Sequence, residues 1–225
     1  MTGSIRSKTR RKTRALPEFD DQFRGRLHDL FAWRRDIRRF RSDPLPDGAL
    51  ERLIETACLA PSVGLSQPWR FVIVDDPARR QAVLDNFSAC NAEALEAYHG
   101  ERAQLYARLK LAGLREAPGH VAVFADRGTE VGHGVGRRTM PEMAEYSVVT
   151  AVTTMWLAAR AEGIGMGWVS ILDPGTVADA LDVPRDWRLI GYFCIGYPET
   201  EDDRPELERE GWEHRRAATD HILRR

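Results

Sequence analysis

Arg34-Arg35-Asp36-Ile37-Arg38-Arg39-Phe40 and, further on, Ala60-Pro61-Ser62-Val63-Gly64-Leu65-Ser66-Gln67-Pro68-Trp69-Arg70-Phe71 are the two stretches on which the reading of this chain turns. In the first, four guanidinium groups crowd one carboxylate. Planar guanidinium forks make paired, charge-assisted hydrogen bonds to phosphate, each contributing roughly 1.5–3 kcal/mol, so the arginines predict a phosphate site. Asp36 would repel that phosphate unless it points elsewhere. Two readings follow: it neutralises its neighbours on a solvated helix end, or it handles protons. Spacing does not choose between them. The second stretch lies between a helical pattern at 46–59, carried by Leu50, Leu53, Ile54 and Ala57, and an apolar run at 69–74 that predicts a buried strand.

Composition narrows the class. A chain of 225 residues with 43% apolar and 30% charged side chains is long enough to bury its own core. Its 33 basic and 34 acidic residues leave no overall field for nucleic acid. A local basic run, Arg6, Lys8, Arg10, Arg11, Lys12 and Arg14, precedes the first acidic residue, Glu18, and predicts a flexible arm over 1–17, with one folded domain over 18–225. That arm lacks the apolar centre of a secretion signal, and no apolar run reaches the span of a bilayer, so a cytoplasmic protein without membrane contact is expected. Cys58, Cys90 and Cys194 are odd in number and show no CxxC pairing, and the six histidines show no ligand spacing, which predicts neither a disulfide framework nor a metal site.

Further elements follow from periodicity. Phe19, Phe23, Leu27, Leu30 and Phe31 form a helical stripe leading to Arg34. Helices are expected over 77–98 and 101–114, strands over 121–125 and 189–195, and a surface tail over 205–216. The glycine-rich stretch 128–141 has its third glycine one residue early for GxGxxG and a proline before any helix; it reads as a mobile loop rather than a dinucleotide site. Over 143–160, Ala144, Val148, Ala151, Val152, Met155 and Ala159 line one helix face, while Val149 and Trp156 extend the apolar surface, so this helix needs packing on more than one side. Glycines at 163–167 end it, and a strand is expected over 168–172 with Ser170 in its middle.

Together the stretches at 34–40 and 60–71 resemble the flavin-binding signature of the nitroreductase superfamily, in which an RRSxR-type motif grips the FMN phosphate and an APSxxNxQPW-type loop lies along the flavin. Two departures, Asp36 for the usual serine and Leu65 for the usual asparagine, narrow the match to the 5,6-dimethylbenzimidazole synthase branch. The segments 147–163, 168–172 and 205–212 agree with it, and the resemblance runs from about residue 23 to residue 215. It implies an α+β fold, a mixed and mainly antiparallel sheet flanked by helices, in an intertwined homodimer with flavin sites at the subunit interface. The residues themselves leave a parallel α/β sheet and a monomer open.

The resemblance also assigns roles. Arg34, Arg35 and Arg38 hold the ribityl phosphate, with Ile37 in the same strip and Arg215 as a distal partner; Ser62 and Gln67 meet the flavin or its ribityl chain. Reduced FMN is substrate as well as cofactor, and O2 converts it to dimethylbenzimidazole, the lower ligand of cobalamin, and erythrose 4-phosphate. Ser170 orients oxygen at the ring, Asp36 moves protons at the ribityl chain, and Leu65 forms an apolar wall against water. A separate flavin reductase supplies the reduced flavin. The stretch 101–114, with Tyr106 and Lys110, is a lid or an ordinary helical face. The rival expectations are an NAD(P)H-dependent nitroreductase or flavin reductase, and a non-catalytic flavin-binding protein.

Overall fold

In the computed structural model, which describes residues 16–96, 98–108 and 112–225, the chain runs through α1 (Asp21–Trp33), α2 (Ala49–Ala57), β1 (Trp69–Ile73), α3 (Pro77–Glu96), α4 (Glu101–Arg108), α5 (Gly113–Glu116), β2 (Gly119–Asp126), α6 (Met143–Ala161), β3 (Gly165–Val169), α7 (Pro174–Leu181), β4 (Trp187–Gly196) and α8 (Glu206–Arg209). The basic run at 6–14 and Lys110 lie outside the described residues. The strands pair antiparallel in the order β1-β2-β4-β3. One parallel contact exists, an isolated bridge between Asp36 and Met166. The α+β expectation therefore stands, and the parallel α/β alternative does not.

Alternation along the central strands divides the core in two. Val121, Val123 and Ala125 of β2, with Phe193 and Ile195 of β4, face α2 and α6; Ala122, Phe124, Tyr192 and Cys194 face α3, α5 and α7. Both sets are almost wholly removed from water. Helix α6 buries the predicted face, together with Trp156, while Tyr146 and Val149 stay exposed on its opposite side. Helix α1 is capped by the Asp20 carboxylate, which accepts from the Phe23 N–H, but buries none of its residues. Its stripe begins one turn later than the sequence suggested, leaving Phe19 ahead of the helix and its ring 4.9 Å from that of Phe23.

The strand expected over 168–172 lies instead at Gly165–Val169, and Ser170 is exposed just beyond its end rather than in its middle. The glycines that were expected only to end α6 are part of the strand. A Cβ at Gly165 would press on the Ile37 side chain, and one at Gly167 would collide with the Ile37 carbonyl. Glycine is used here because another backbone lies against the strand edge. The helix expected over 101–114 is likewise divided into α4 and α5. Gly113 of α5 donates its N–H to the Arg38 carbonyl at 2.9 Å, and a Cβ there would meet the Phe40 ring at 2.8 Å. Contact with the arginine segment breaks the local helical pattern.

Candidate functional site

The chain leaves α1 at Arg34, in extended conformation, and crosses the edge of β3. Ile37 donates its N–H to Met166 O at 2.9 Å, Arg41 donates to Tyr197 O at 2.9 Å, and Glu199 donates to Arg39 O at 3.2 Å. Phe40, 5% exposed, drives its ring into the core beneath. This anchoring fixes the direction of the Asp36 carboxylate. Its Oδ1 accepts the Trp168 N–H of β3 at 2.8 Å, so the carboxylate is turned away from a solvated helix end and onto the sheet edge. Asp36 is solvent-exposed along the cleft, although protein atoms crowd around its carboxylate. Burial raises its pKa above the ordinary carboxylate range, against the opposing pull of the Trp168 N–H and of Arg38 and Arg34; Glu206 adds to the rise.

Two adjoining cavities flank this segment. One, of about 150 Å³, is lined by Arg34, Arg35, Asp36, Arg38, Pro205, Glu206, Leu207 and Arg215. The second, of about 210 Å³, shares Arg35, Asp36, Arg38 and Glu206 with it and extends past Thr200 and Arg204. The three arginines of the motif and the distal Arg215 thus converge on one space. The Arg34 guanidinium lies over the Trp156 ring, 4.8 Å from its centroid, and the Trp156 indole N–H donates to Arg35 O at 3.1 Å. Burial is the first cause of the lowered pKa of both Arg34 and Arg35, and repulsion by Arg215 adds to it. Arg35 bonds through its terminal nitrogens to the carbonyls of Ala32, Arg34 and Asp203, and its Nε is buried without a partner. Arg38 Nε stands 4.0 Å from Glu206 Oε2.

A phosphate dianion fits this set. Desolvated guanidiniums that repel one another, one with an orphaned N–H, are stabilised by an oxyanion among them. Trp156, Glu206 and Leu207 were not singled out as site residues from the sequence. The first reads as helix packing and the others as a surface tail, and only the return of that tail over β3 brings them here.

Ser62, Gln67 and Ser170 do not line these cavities. Ser62 precedes a 3₁₀ turn, Val63–Leu65, and its Oγ accepts the Gln67 N–H at 3.1 Å. Leu65 and Gln67 both take positive φ, at 53° and 45°, and point to solvent, Leu65 with 70% exposure. The turn is fixed to α6: Val63 donates to Ser147 Oγ at 3.0 Å, and Thr150 Oγ1 donates to Pro61 O at 2.9 Å. The glycine-rich stretch 128–141 is laid against this turn. A Cβ at Gly136 would meet Val63 Cγ2 at 2.6 Å, and one at Gly132 the Gly64 carbonyl at 2.5 Å. Ser170 follows Trp168 by two residues, on the β3 end that carries Asp36. Tyr106 of α4 stacks on Tyr98 at 4.8 Å between ring centroids, with Trp212 of the tail against both.

An antiparallel sheet between two helical layers, with an arginine-lined cleft where the segment after α1 crosses the sheet edge, defines the class. Residues 31–197 match the Nitroreductase family, and the chain belongs to it. Within that family it is 58% identical over 203 residues to the 5,6-dimethylbenzimidazole synthase of Rhodospirillum rubrum, spanning 90% of this chain and 96% of the relative. The 5,6-dimethylbenzimidazole synthase of Rhodobacter capsulatus is 47% identical over 195 residues, covering 87% and 94% of the two chains. Among solved structures, oxidised iodotyrosine deiodinase bound to FMN and 3-iodo-L-tyrosine superposes with a TM-score of 0.63 at 26% identity, over 78% of this chain and 91% of that one.

Proposed function

We propose that the protein is a 5,6-dimethylbenzimidazole synthase, which fragments reduced FMN with O2 to dimethylbenzimidazole and erythrose 4-phosphate. The observation that carries this reading is Asp36, a carboxylate fixed by the Trp168 N–H at the mouth of an arginine cavity. A protein that only cycles its flavin has no need of a proton carrier beside the phosphate. The identity to two synthases and the FMN bound to a structural relative support the same ligand and reaction.

Arg34, Arg35, Arg38 and Arg215 would hold the phosphate of a bound FMN in the cavity that Asp36 also lines. Reduced FMN supplies both the electrons that activate O2 and the carbon skeleton of the products. Asp36, its pKa raised above the usual carboxylate range, would take and return protons at the ribityl chain of a flavin held there. Ser170, at the same end of β3, would orient oxygen at a bound ring, and Leu65, exposed in one copy, would exclude water only where a second copy covers it.

Ser62, Leu65 and Gln67 do not line the arginine cavity of their own chain, so they would meet a flavin as part of a second copy. Exposed Leu59, Leu65, Val135, Tyr146 and Val149 around that turn and on α6 supply apolar surface for such a homodimer. Among the described residues no helix is long and apolar enough to cross a membrane. A cytoplasmic enzyme fed by a separate flavin reductase completes the reading.

The direct test mixes the protein with chemically reduced FMN in air and separates the products by chromatography and mass spectrometry. Dimethylbenzimidazole forming as FMN disappears is the expected result. Full recovery of oxidised FMN, with rapid NAD(P)H oxidation in the presence of a nitroaromatic, would make the protein a reductase.

A further inference from the structure

We infer that Trp212 is a positioning residue: seated against Tyr98 and Tyr106, it holds Arg215 in the phosphate cavity and so ties helix α4 to capture of the flavin phosphate. The inference rests on the proposed function only in taking the ligand to be the phosphate monoester of FMN.

Arg215 needs to be held. It lines a cavity already occupied by Arg34, Arg35 and Arg38, and its charge repels the first two. Among the described residues, the backbone of 213–216 makes no hydrogen bond to another element; the His214 N–H turns to the neighbouring Glu213 side chain. Left to itself, such a segment swings a cation away from other cations and into water.

The nearest anchor lies three residues earlier. Gly211, at φ 74°, ends α8 in the left-handed conformation, and the Trp212 N–H returns to Leu207 O at 2.8 Å. The indole then meets Tyr98 edge-on at 5.6 Å and Tyr106 at 6.2 Å, while the two tyrosines stack on each other. Tyr106 is itself fixed, its hydroxyl donating to Asn91 Oδ1 at 2.9 Å, and it lies within the field of Arg38. Leu207 and Arg215, which both line the phosphate cavity, therefore straddle an anchor whose other half belongs to α3's exit and α4. A movement of α4 displaces Trp212, and with it the arginine. Conversely, a phosphate that draws Arg215 inward seats the aromatic cluster.

The test is a double-mutant cycle on the full chain, read as the Kd for oxidised FMN and for riboflavin, which lacks the phosphate, by flavin fluorescence. Trp212→Ala and Arg215→Ala should each weaken FMN about tenfold, leave riboflavin unchanged, and together cost no more than Arg215→Ala alone. Trp212→Phe, which keeps a ring in the cluster, should restore binding to near the wild-type value. Tyr98→Ala, which loosens the same anchor from the other side, should show the same FMN-specific loss and guards against misfolding of the tail variant. Losses that multiply in the double variant, or a parallel fall in riboflavin binding, would overturn the inference, as would wild-type FMN affinity in Trp212→Ala. Flavin that binds tightly but is recovered intact after reduction and aeration discards the synthase reading and leaves the Trp212 coupling in place.

Discussion

Asp36 is held by a bond that an amide can also make, and this separates its structural from its chemical duty. Asparagine keeps an oxygen for the Trp168 N–H, so Asp36→Asn should bind oxidised FMN within about threefold of wild type while dimethylbenzimidazole formation falls below detection. Desolvation raises the Asp36 pKa; if the group serves as the proposed base, single-turnover product formation should fall with acid at a pH above the ordinary carboxylate range. A second residue gives the fold its own pH dependence. His120 is 2% exposed; a carbonyl only accepts, so Nε2–H donates to Ala117 O at 3.1 Å, and Nδ1 accepts from the Tyr192 hydroxyl at 2.9 Å. Burial, then Arg80, lowers its pKa from 6.5 to about 4. The unfolded chain thus takes a proton that the folded one refuses. Stability present above pH 6.5 is lost as the pH falls towards 4, by about 3 kcal/mol from this group. Urea denaturation at neutral and acid pH should show this loss, and His120→Gln should flatten it.

At the scale of elements, the site exists because the segment after α1 is laid on the edge of β3. Gly167→Ala should part them: the new methyl collides with the Ile37 carbonyl, a backbone atom that cannot rotate away. A loss of about 2–4 kcal/mol and a drop of several degrees in Tm are expected by calorimetry, with weaker FMN binding because Asp36 and Arg38 move with Ile37. The arginine motif was legible in sequence, as were α6, β1 and the long central strands. The place of β3 was not. Glycines at 163–167 carry the local signal of a helix end, and only the neighbouring backbone explains why strand conformation continues through them. The same contact explains the break between α4 and α5, since Gly113 answers to Arg38 and Phe40 rather than to its own helical neighbours.

For the whole molecule, the exposed faces argue for a partner. Helix α1 has no fully buried residue, α6 presents Tyr146 and Val149 to solvent, and the turn bearing Ser62 and Gln67 does not line the arginine cavity. A charge at the centre of that surface should act as a switch between states. Val149→Glu, an exposed position that leaves the core untouched, should shift the protein to a monomer by light scattering. Its FMN affinity should fall more than tenfold if, as proposed, a second copy supplies the contacts to the ring. Retention of a dimer with full flavin binding would move the interface elsewhere.

The sequence by itself determined the composition of the site and the class of the fold. A cluster of arginines suited to a phosphate, a carboxylate in their midst, and the apolar periods of α6, β2 and β4 are local properties, written residue by residue. Tertiary structure decided what those residues face. It brought Arg215 and Glu206 from the tail to the motif, turned Asp36 onto the Trp168 N–H, and set Ser62 and Gln67 apart from both. Such juxtapositions depend on backbone approach between segments far apart in the chain, for which local propensity carries no signal.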